Sequence, residues 1–318
     1  MDDRPGLEII VGRQVSDQVV RSVSVYRFTS GFSRQLMTAS YSRIVTEDFD
    51  QNGREDLFLI YPGQTEDSPA AAVLYSFRDD QMYRSAEINL SAPADELKRV
   101  TLSKLSEGSP AVYATMAQEE SYLLTDVFVV RRGQIDSVLT GHKTETLSNY
   151  YVYPEDIDSD GVTEVPILKP LQVQQDAQKQ YLIEWYASDN EGVLTKKTTT
   201  YHNQKDGWYM RLDFDWVTSL TVEQTEDAFD FLLLEQDQQR QLFSILILTG
   251  PDRDELAKEE GLHLLHRGET EVYVLSVNEE MTEVDCQELL GCFRLIRMDW
   301  NNEEIRGDED EEGSDSGR

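Results

Sequence analysis

The sequence predicts a mainly β protein, with a propeller-like β-repeat domain followed by a smaller α+β domain. Three observations carry that expectation. Short β-branched and aromatic runs bounded by turn residues recur through the first two hundred residues, with no helical period competing with them. A glycine-centred acidic motif returns at a fixed spacing. One amphipathic helical stripe occurs, close to the C-terminus. A length of 318 residues suits two domains, each able to bury its own core. The expected division is residues 1–204 for about four partial repeats, 205–302 for the α+β domain and 303–318 for a disordered acidic tail.

The repeat unit is read from its loops. Asp48-Phe-Asp-Gln-Asn-Gly53-Arg-Glu-Asp56 and Asp156-Ile-Asp-Ser-Asp-Gly161-Val-Thr-Glu164 share one plan, each running straight into an apolar strand. Leu105-Ser-Glu-Gly108 lies midway as a weaker copy, with Leu105 and Ala111 where acids stand elsewhere. Gly53, Gly108 and Gly161 therefore define a period of about 54 residues, a length that suits a blade of three or four strands. The segment around Leu7 and Glu8 resembles the back half of a further copy.

Within each copy a second strand is expected: Ser22–Phe28, Ala71–Phe77, Leu124–Val130 and Tyr181–Tyr186. Beyond residue 204, Trp208–Leu212, Ser219–Glu223, Asp227–Leu234, Gln241–Leu248 and Thr270–Ser276 read as strands without the loop motif. A helix is expected over Glu283–Arg297. Thr282 to Asp285 resembles a capping box, and Cys286, Leu289, Leu290, Phe293 and Ile296 form an apolar stripe.

Charge narrows the function. The chain carries 61 acids against 29 Lys plus Arg, a formal net charge of -32. The last sixteen residues hold only eight of those acids, so the body is itself anionic. A phosphate-neutralising basic cluster is missing, which disfavours nucleic acid as a partner. No apolar run approaches the roughly 20 residues of a membrane-spanning helix. Met1-Asp-Asp-Arg-Pro5 carries no basic region followed by an apolar one, so no secretory signal is read in this chain. Two cysteines cannot build a disulfide scaffold. Cys286 and Cys292 would lie about 9 Å apart along a helix axis, too far for a bridge, so free thiols are expected.

The two intact loops carry the chemistry. Oxygen donors fall at alternate positions: Asp48, Asp50, Asn52 and Asp56 in one, Asp156, Asp158, Asp160 and Glu164 in the other. Alternation lets a tight loop aim every second side chain inward, and glycine permits the bend. Carboxylate and amide oxygens suit Ca²⁺ rather than Zn²⁺, and three or more carboxylates gathered without a cation repel one another. These loops are not EF-hands, because the twelfth position is Leu59 or Ile167 and a strand follows in place of a helix. Acidic β-turns are the plain alternative.

A loop of this kind followed by a strand about every 54 residues resembles the FG-GAP and VCBS-type calcium-loop repeats of extracellular and integrin-like propellers. From Glu8 through the Tyr151–Pro166 segment to Thr200–Asn203 and Gly207–Tyr209, the chain is also similar to uncharacterised cell-envelope lipoproteins of Gram-positive bacteria. That resemblance implies an extracytoplasmic, cell-envelope location and a lipid anchor in a longer parent, whose lipobox cysteine, export signal and first repeats do not appear here. It implies no agreed activity.

Catalytic signatures are absent from the sequence: no G-x-S-x-G, H-E-x-x-H, G-x-G-x-x-G or P-loop pattern occurs. His263 and His266 would chelate a metal only on an uninterrupted helix, and Gly261 and Gly268 interrupt the segment. Trp185, Tyr186, Trp208, Tyr209 and Trp216 read as sheet core rather than a sugar platform. The function expected is therefore a non-catalytic Ca²⁺-binding scaffold presenting loops to a protein or glycan partner. The alternatives are a hydrolase acting on cell-wall glycans or peptides, for which two suitably spaced carboxylates suffice, and a structural cytoplasmic protein.

Overall fold

The structure, a computed structural model, describes residues 7–14, 21–29, 31–61, 70–78, 81–92, 96–118, 122–139, 146–149, 152–171, 180–225, 227–235, 238–278 and 283–296. The tail 303–318 lies outside the described residues. The described residues are mainly β and form five sheets. Its described residues form two compact units: 7–167 with 186–196, and 168–185 with 197–296.

In the first unit, β1 (Leu7–Arg13), β2 (Arg21–Thr29) and β3 (Phe32–Tyr41) form an antiparallel three-stranded sheet. A second antiparallel sheet orders β4 (Arg43–Glu47), β5 (Asp56–Tyr61), β6 (Ala71–Arg78) and β7 (Gln81–Asn89) in sequence. The third comprises β8 (Leu97–Lys104), β9 (Pro110–Gln118), β10 (Tyr122–Arg131) and β11 (Gln134–Ser137), with β12 (Leu147–Asn149) also paired to β10. Each sheet is a meander of neighbouring strands, so each is one local unit in the chain.

These sheets stack face to face, and the sequence of β5 shows why. Asp56-Leu-Phe-Leu-Ile is apolar at both parities after its first residue, and a strand points successive side chains to opposite faces. Leu57 and Leu59 pack with Val23, Val25 and Met37 of the first sheet. Phe58 and Ile60 pack with Val112, Ala114, Met116 and Phe128 of the third. The third sheet buries its other face too, through Ala111, Tyr113, Val127 and Val129 against Val165. Leu57 to Ile60 are each no more than 1% exposed, and full burial of one such side chain is worth about 1.5–3 kcal/mol.

A fourth sheet orders β13 (Glu164–Pro170), β14 (Tyr181–Ser188), β15 (Leu194–Asn203) and β16 (Trp208–Arg211), closed by a strand from near the C-terminus, Phe293–Leu295. In the second unit, β17 (Leu220–Gln224), β18 (Ala228–Glu235), β19 (Gln238–Thr249), β20 (Leu262–Arg267) and β21 (Glu271–Val277) form a sheet in the order β17-β18-β19-β21-β20. A one-turn helix α1 (Arg253–Leu256) and the longer α2 (Glu283–Cys292) accompany it. Its core centres on Trp208, Phe231 and Phe243, the last two stacked at 4.4 Å.

The expected helix ends early. Cys286 and Leu289 face the core as the stripe requires, but Phe293 leaves the helix and begins β22 (Phe293–Leu295), pairing with Met210. Its ring lies 5.7 Å from Trp208, a burial the sheet offers and a longer helix would forgo. The side chains of the expected capping box, and Arg297, lie outside the described residues. The expected second strands coincide with β2, β6, β10 and β14 to within two residues.

Candidate metal centre

Both acidic loops span eight residues and are closed by the same strand pairing: Glu47 opposite Asp56, and Glu155 opposite Glu164. Their backbones follow one pattern. Asn52 N–H donates to Asp48 Oδ1 at 2.9 Å and to Asp50 Oδ1 at 3.2 Å, and Gly53 N–H donates to Asp48 Oδ2 at 2.8 Å. In the second loop Asp160 N–H donates to Asp156 Oδ1 at 2.9 Å and Asp158 Oδ1 at 3.2 Å, and Gly161 N–H to Asp156 Oδ2 at 2.9 Å. Left-handed backbone falls at matching places, Gln51 and Ser159 (φ 57° and 65°) and Gly53 and Gly161 (φ 83° and 86°). The first aspartate thus organises the turn, and glycine takes a conformation that costs other residues roughly 1–2 kcal/mol.

An apolar plug anchors each loop. Phe49 is 4% exposed in the core between the second and third sheets, and Ile157 is 8% exposed. Glu47-Asp48-Phe and Glu155-Asp156-Ile are alike, so a longer motif that includes the pairing glutamate and the plug was present in the sequence and escaped the reading above. The second loop is tied down further. Tyr113 Oη donates to Thr163 O at 3.1 Å, and Thr163 Oγ1 donates to Ser103 Oγ at 2.7 Å.

The motif's last acid is the telling group. Glu164 is fully buried, and Asp56 is 2% exposed. One oxygen of Glu164 accepts Ile157 N–H at 3.1 Å; its Oε1, like Oδ2 of Asp56, is buried without a hydrogen-bond partner. Burial pushes Glu164 up to about 7, and Asp158, Asp160 and Asp156 push the same way. Burial likewise pushes Asp56 up to about 6, with Asp50 and Asp48 adding to it. Among the described residues, the charges acting on either group are carboxylates. A buried carboxylate with an orphan oxygen and only like-charged neighbours is costly unless a cation joins it.

Oxygens from Asp156, Asp158 and Glu164 all lie within 4.8 Å of one another. Two oxygens on one Ca²⁺ at about 2.4 Å each are separated by at most about 4.8 Å, so this trio meets the geometric requirement as it stands. Asp48, Asp50 and Asp56 do not form such a group, and no other trio among the described residues does. The all-oxygen donor set and the orphan Oε1 fit a hard divalent cation. Of the eight residues expected as ligands, each set of four lies on its own loop, and the second set includes the convergent trio.

The other copies of the repeat resolve the same position differently. Glu8 on β1 pairs across the strands with Arg27, whose Nε donates to its Oε1 at 2.7 Å; the side chains are 12% and 8% exposed. The guanidinium also sits 4.5 Å above the Phe77 ring. In the third sheet the turn is five residues, Leu105–Ser109, and the acid is replaced by fully buried Ala111. Gly108 keeps its left-handed backbone, so that copy retains the bend without ligands.

Elsewhere, His263 and His266 lie on β20, a strand, so helical chelate spacing does not arise. His202 stacks on Tyr209 at 5.1 Å, and burial pushes it down to about 3. Trp185 and Trp208 are fully buried. The cysteines form no disulfide; Cys286 is core and Cys292 half-buried. No helix among the described residues is long and apolar enough to cross a membrane. Compared with known proteins, the chain matches no family model and no curated sequence.

Proposed function

We propose that the protein is a calcium-stabilised β-repeat scaffold, without catalytic activity of its own, that presents its loops to a protein or glycan partner at the cell envelope. The observation that carries the calcium reading is Glu164: fully buried, with an orphan Oε1 and two aspartate oxygens within 4.8 Å. Asp156, Asp158, Asp160 and Glu164 would hold one ion, and Asp48, Asp50, Asn52 and Asp56 a second. The ion's contribution is structural, cancelling the repulsion that the buried acid and its neighbours otherwise carry. Serial stacking of antiparallel meanders, each burying faces against the next, supports the propeller-like repeat; the FG-GAP/VCBS resemblance of the loops supports calcium, and the resemblance to cell-envelope lipoproteins supports the envelope location.

Thermal melts with and without chelator test the proposal. At about 1 mM Ca²⁺ and a Kd near 0.1 mM, each occupied loop stabilises the fold by about 1.4 kcal/mol. The expected result is a Tm several degrees higher in calcium, with the shift reduced in Glu164→Gln. An unchanged Tm would count against the proposal.

A further inference from the structure

The two loops share a backbone but not a donor set, and the difference assigns them different affinities. We infer that the loops bind Ca²⁺ unequally: the Asp156–Glu164 loop is a tight, pre-assembled site, and the Asp48–Asp56 loop is a weaker one that fills only at higher calcium. The inference rests on the calcium reading above.

The backbone is excluded as the source of the difference. Corresponding hydrogen bonds agree to within 0.1 Å, the left-handed residues coincide, and both loops are closed by an acid paired with a glutamate. Among the ligands, the loops differ at two positions. Position 52 is a neutral amide where position 160 is a carboxylate, so the first loop offers three negative charges and the second four. Position 56 is an aspartate where position 164 is a glutamate, one methylene, about 1.5 Å, longer.

The carboxylates of the second loop converge and those of the first do not. Glu164 hangs from the first residue of β13, accepts Ile157 N–H on Oε2, and brings a carboxylate oxygen within 4.8 Å of oxygens of Asp156 and Asp158. Asp56 hangs from the first residue of β5 at the same register and is equally buried, but Asp48, Asp50 and Asp56 do not bring one oxygen each within 4.8 Å of one another. To bind an ion through all three carboxylates the first loop must draw them together, a rearrangement the second loop does not need. Calcium affinity in such loops is set by ligand charge and site rigidity, and the second loop leads on both. Its rigidity has a further source in the Tyr113 and Thr163 hydrogen bonds to the third sheet; the first loop is held by its plug, Phe49, and by Ser76, which hydrogen-bonds Asp56.

One consequence is a graded response. The tight loop would remain filled as calcium falls, while the weak loop, which carries Phe49 and Gln51, empties. Those two residues form one wall of a cleft of about 290 Å³, with Arg131 and Asn190 among the groups facing them. Calcium in its weaker range would therefore act on the shape of this cleft.

A calcium titration of the full chain followed by ¹⁵N NMR tests the inference, because the amides of Gly53 and Gly161 report the two loops separately. The expected result is two midpoints at least about tenfold apart, with Gly161 responding first. A reciprocal exchange then follows. Asn52→Asp with Asp56→Glu should bring the Gly53 midpoint up to that of Gly161, and Asp160→Asn with Glu164→Asp should weaken Gly161 by a similar factor. If the second pair fails to fold, the first decides alone, since it leaves the tight loop intact. Midpoints equal within twofold, Gly53 responding first, or an order that survives the exchange would overturn the inference while leaving calcium binding in place. If neither amide moves at millimolar Ca²⁺, the calcium reading falls with it.

Discussion

The first sheet and the two acidic loops bury an acid at the same point of the repeat, and they neutralise it in opposite ways. Glu8 meets Arg27 from the neighbouring strand, backed by the Phe77 ring, and is complete within the protein. Leu57, beside Asp56, pairs with Tyr75, so the place of Arg27 falls to Ser76, which brings no charge. The same position can hold an internal cation or require an external one, and the choice rests on one residue of the adjacent strand. Ala111 in the third sheet is a third solution, removing the charge altogether.

Breaking the internal pair should give the largest effect. Arg27→Ser leaves Glu8 buried and uncompensated, an expected loss of about 3–5 kcal/mol by chemical denaturation. If the comparison holds, that loss is the same in calcium and in chelator, because the Arg27 guanidinium already supplies the cation that Glu8 needs. Rescue of the variant by calcium would show instead that the ion pair covers a latent metal site.

The loop backbone comes next. A Cβ at Gly161 would meet nothing within 4 Å, so Gly161→Ala carries only the conformational cost of φ 86°. A loss of about 1–2 kcal/mol is expected, and calcium should offset part of it by holding the loop in place. Gly108→Ala, at φ 83° in the copy without ligands, should lose as much with no recovery in calcium. Equal behaviour of the two variants would remove the distinction between loops and turn.

A further contrast is set by pH. Without calcium, Asp56 and Glu164 are raised to about 6 and about 7, so the folded chain holds protons that the unfolded chain releases. Their contribution is fully present below about pH 4 and is lost as pH rises through those two values. In chelator Tm should therefore fall from pH 5 to pH 8, and Asp56→Asn with Glu164→Gln should flatten that part of the slope. In calcium the fall should be opposed, since deprotonated ligands bind more tightly. A slope unchanged by the double substitution would mean that other groups set it.

How much of this was legible in the sequence follows from what each residue signals. The β5 run announces a strand covered on both faces, because Leu57 to Ile60 are apolar at both parities. By contrast, β3 and β7 carry Arg34, Gln35, Arg84 and Glu87 at exposed positions and leave little contrast for a period to show. The loops were legible because Asp, Asn and Gly at fixed offsets have few other uses together. The Arg27 pair was not, since nothing local relates positions 8 and 27 until β1 and β2 are in register. The early end of α2 was hidden for the same reason: helical spacing continues through Phe293 and Ile296, and only the partner strand β16 claims Phe293.

Counting bound calcium tests the central claim most directly. Equilibrium dialysis against millimolar Ca²⁺, with the metal measured by atomic emission, should give two ions per chain for the wild type. Glu164→Gln should give one, and Glu164→Gln with Asp56→Asn none. A wild-type chain that retains no calcium, or a double variant that retains as much as the wild type, would contradict the account.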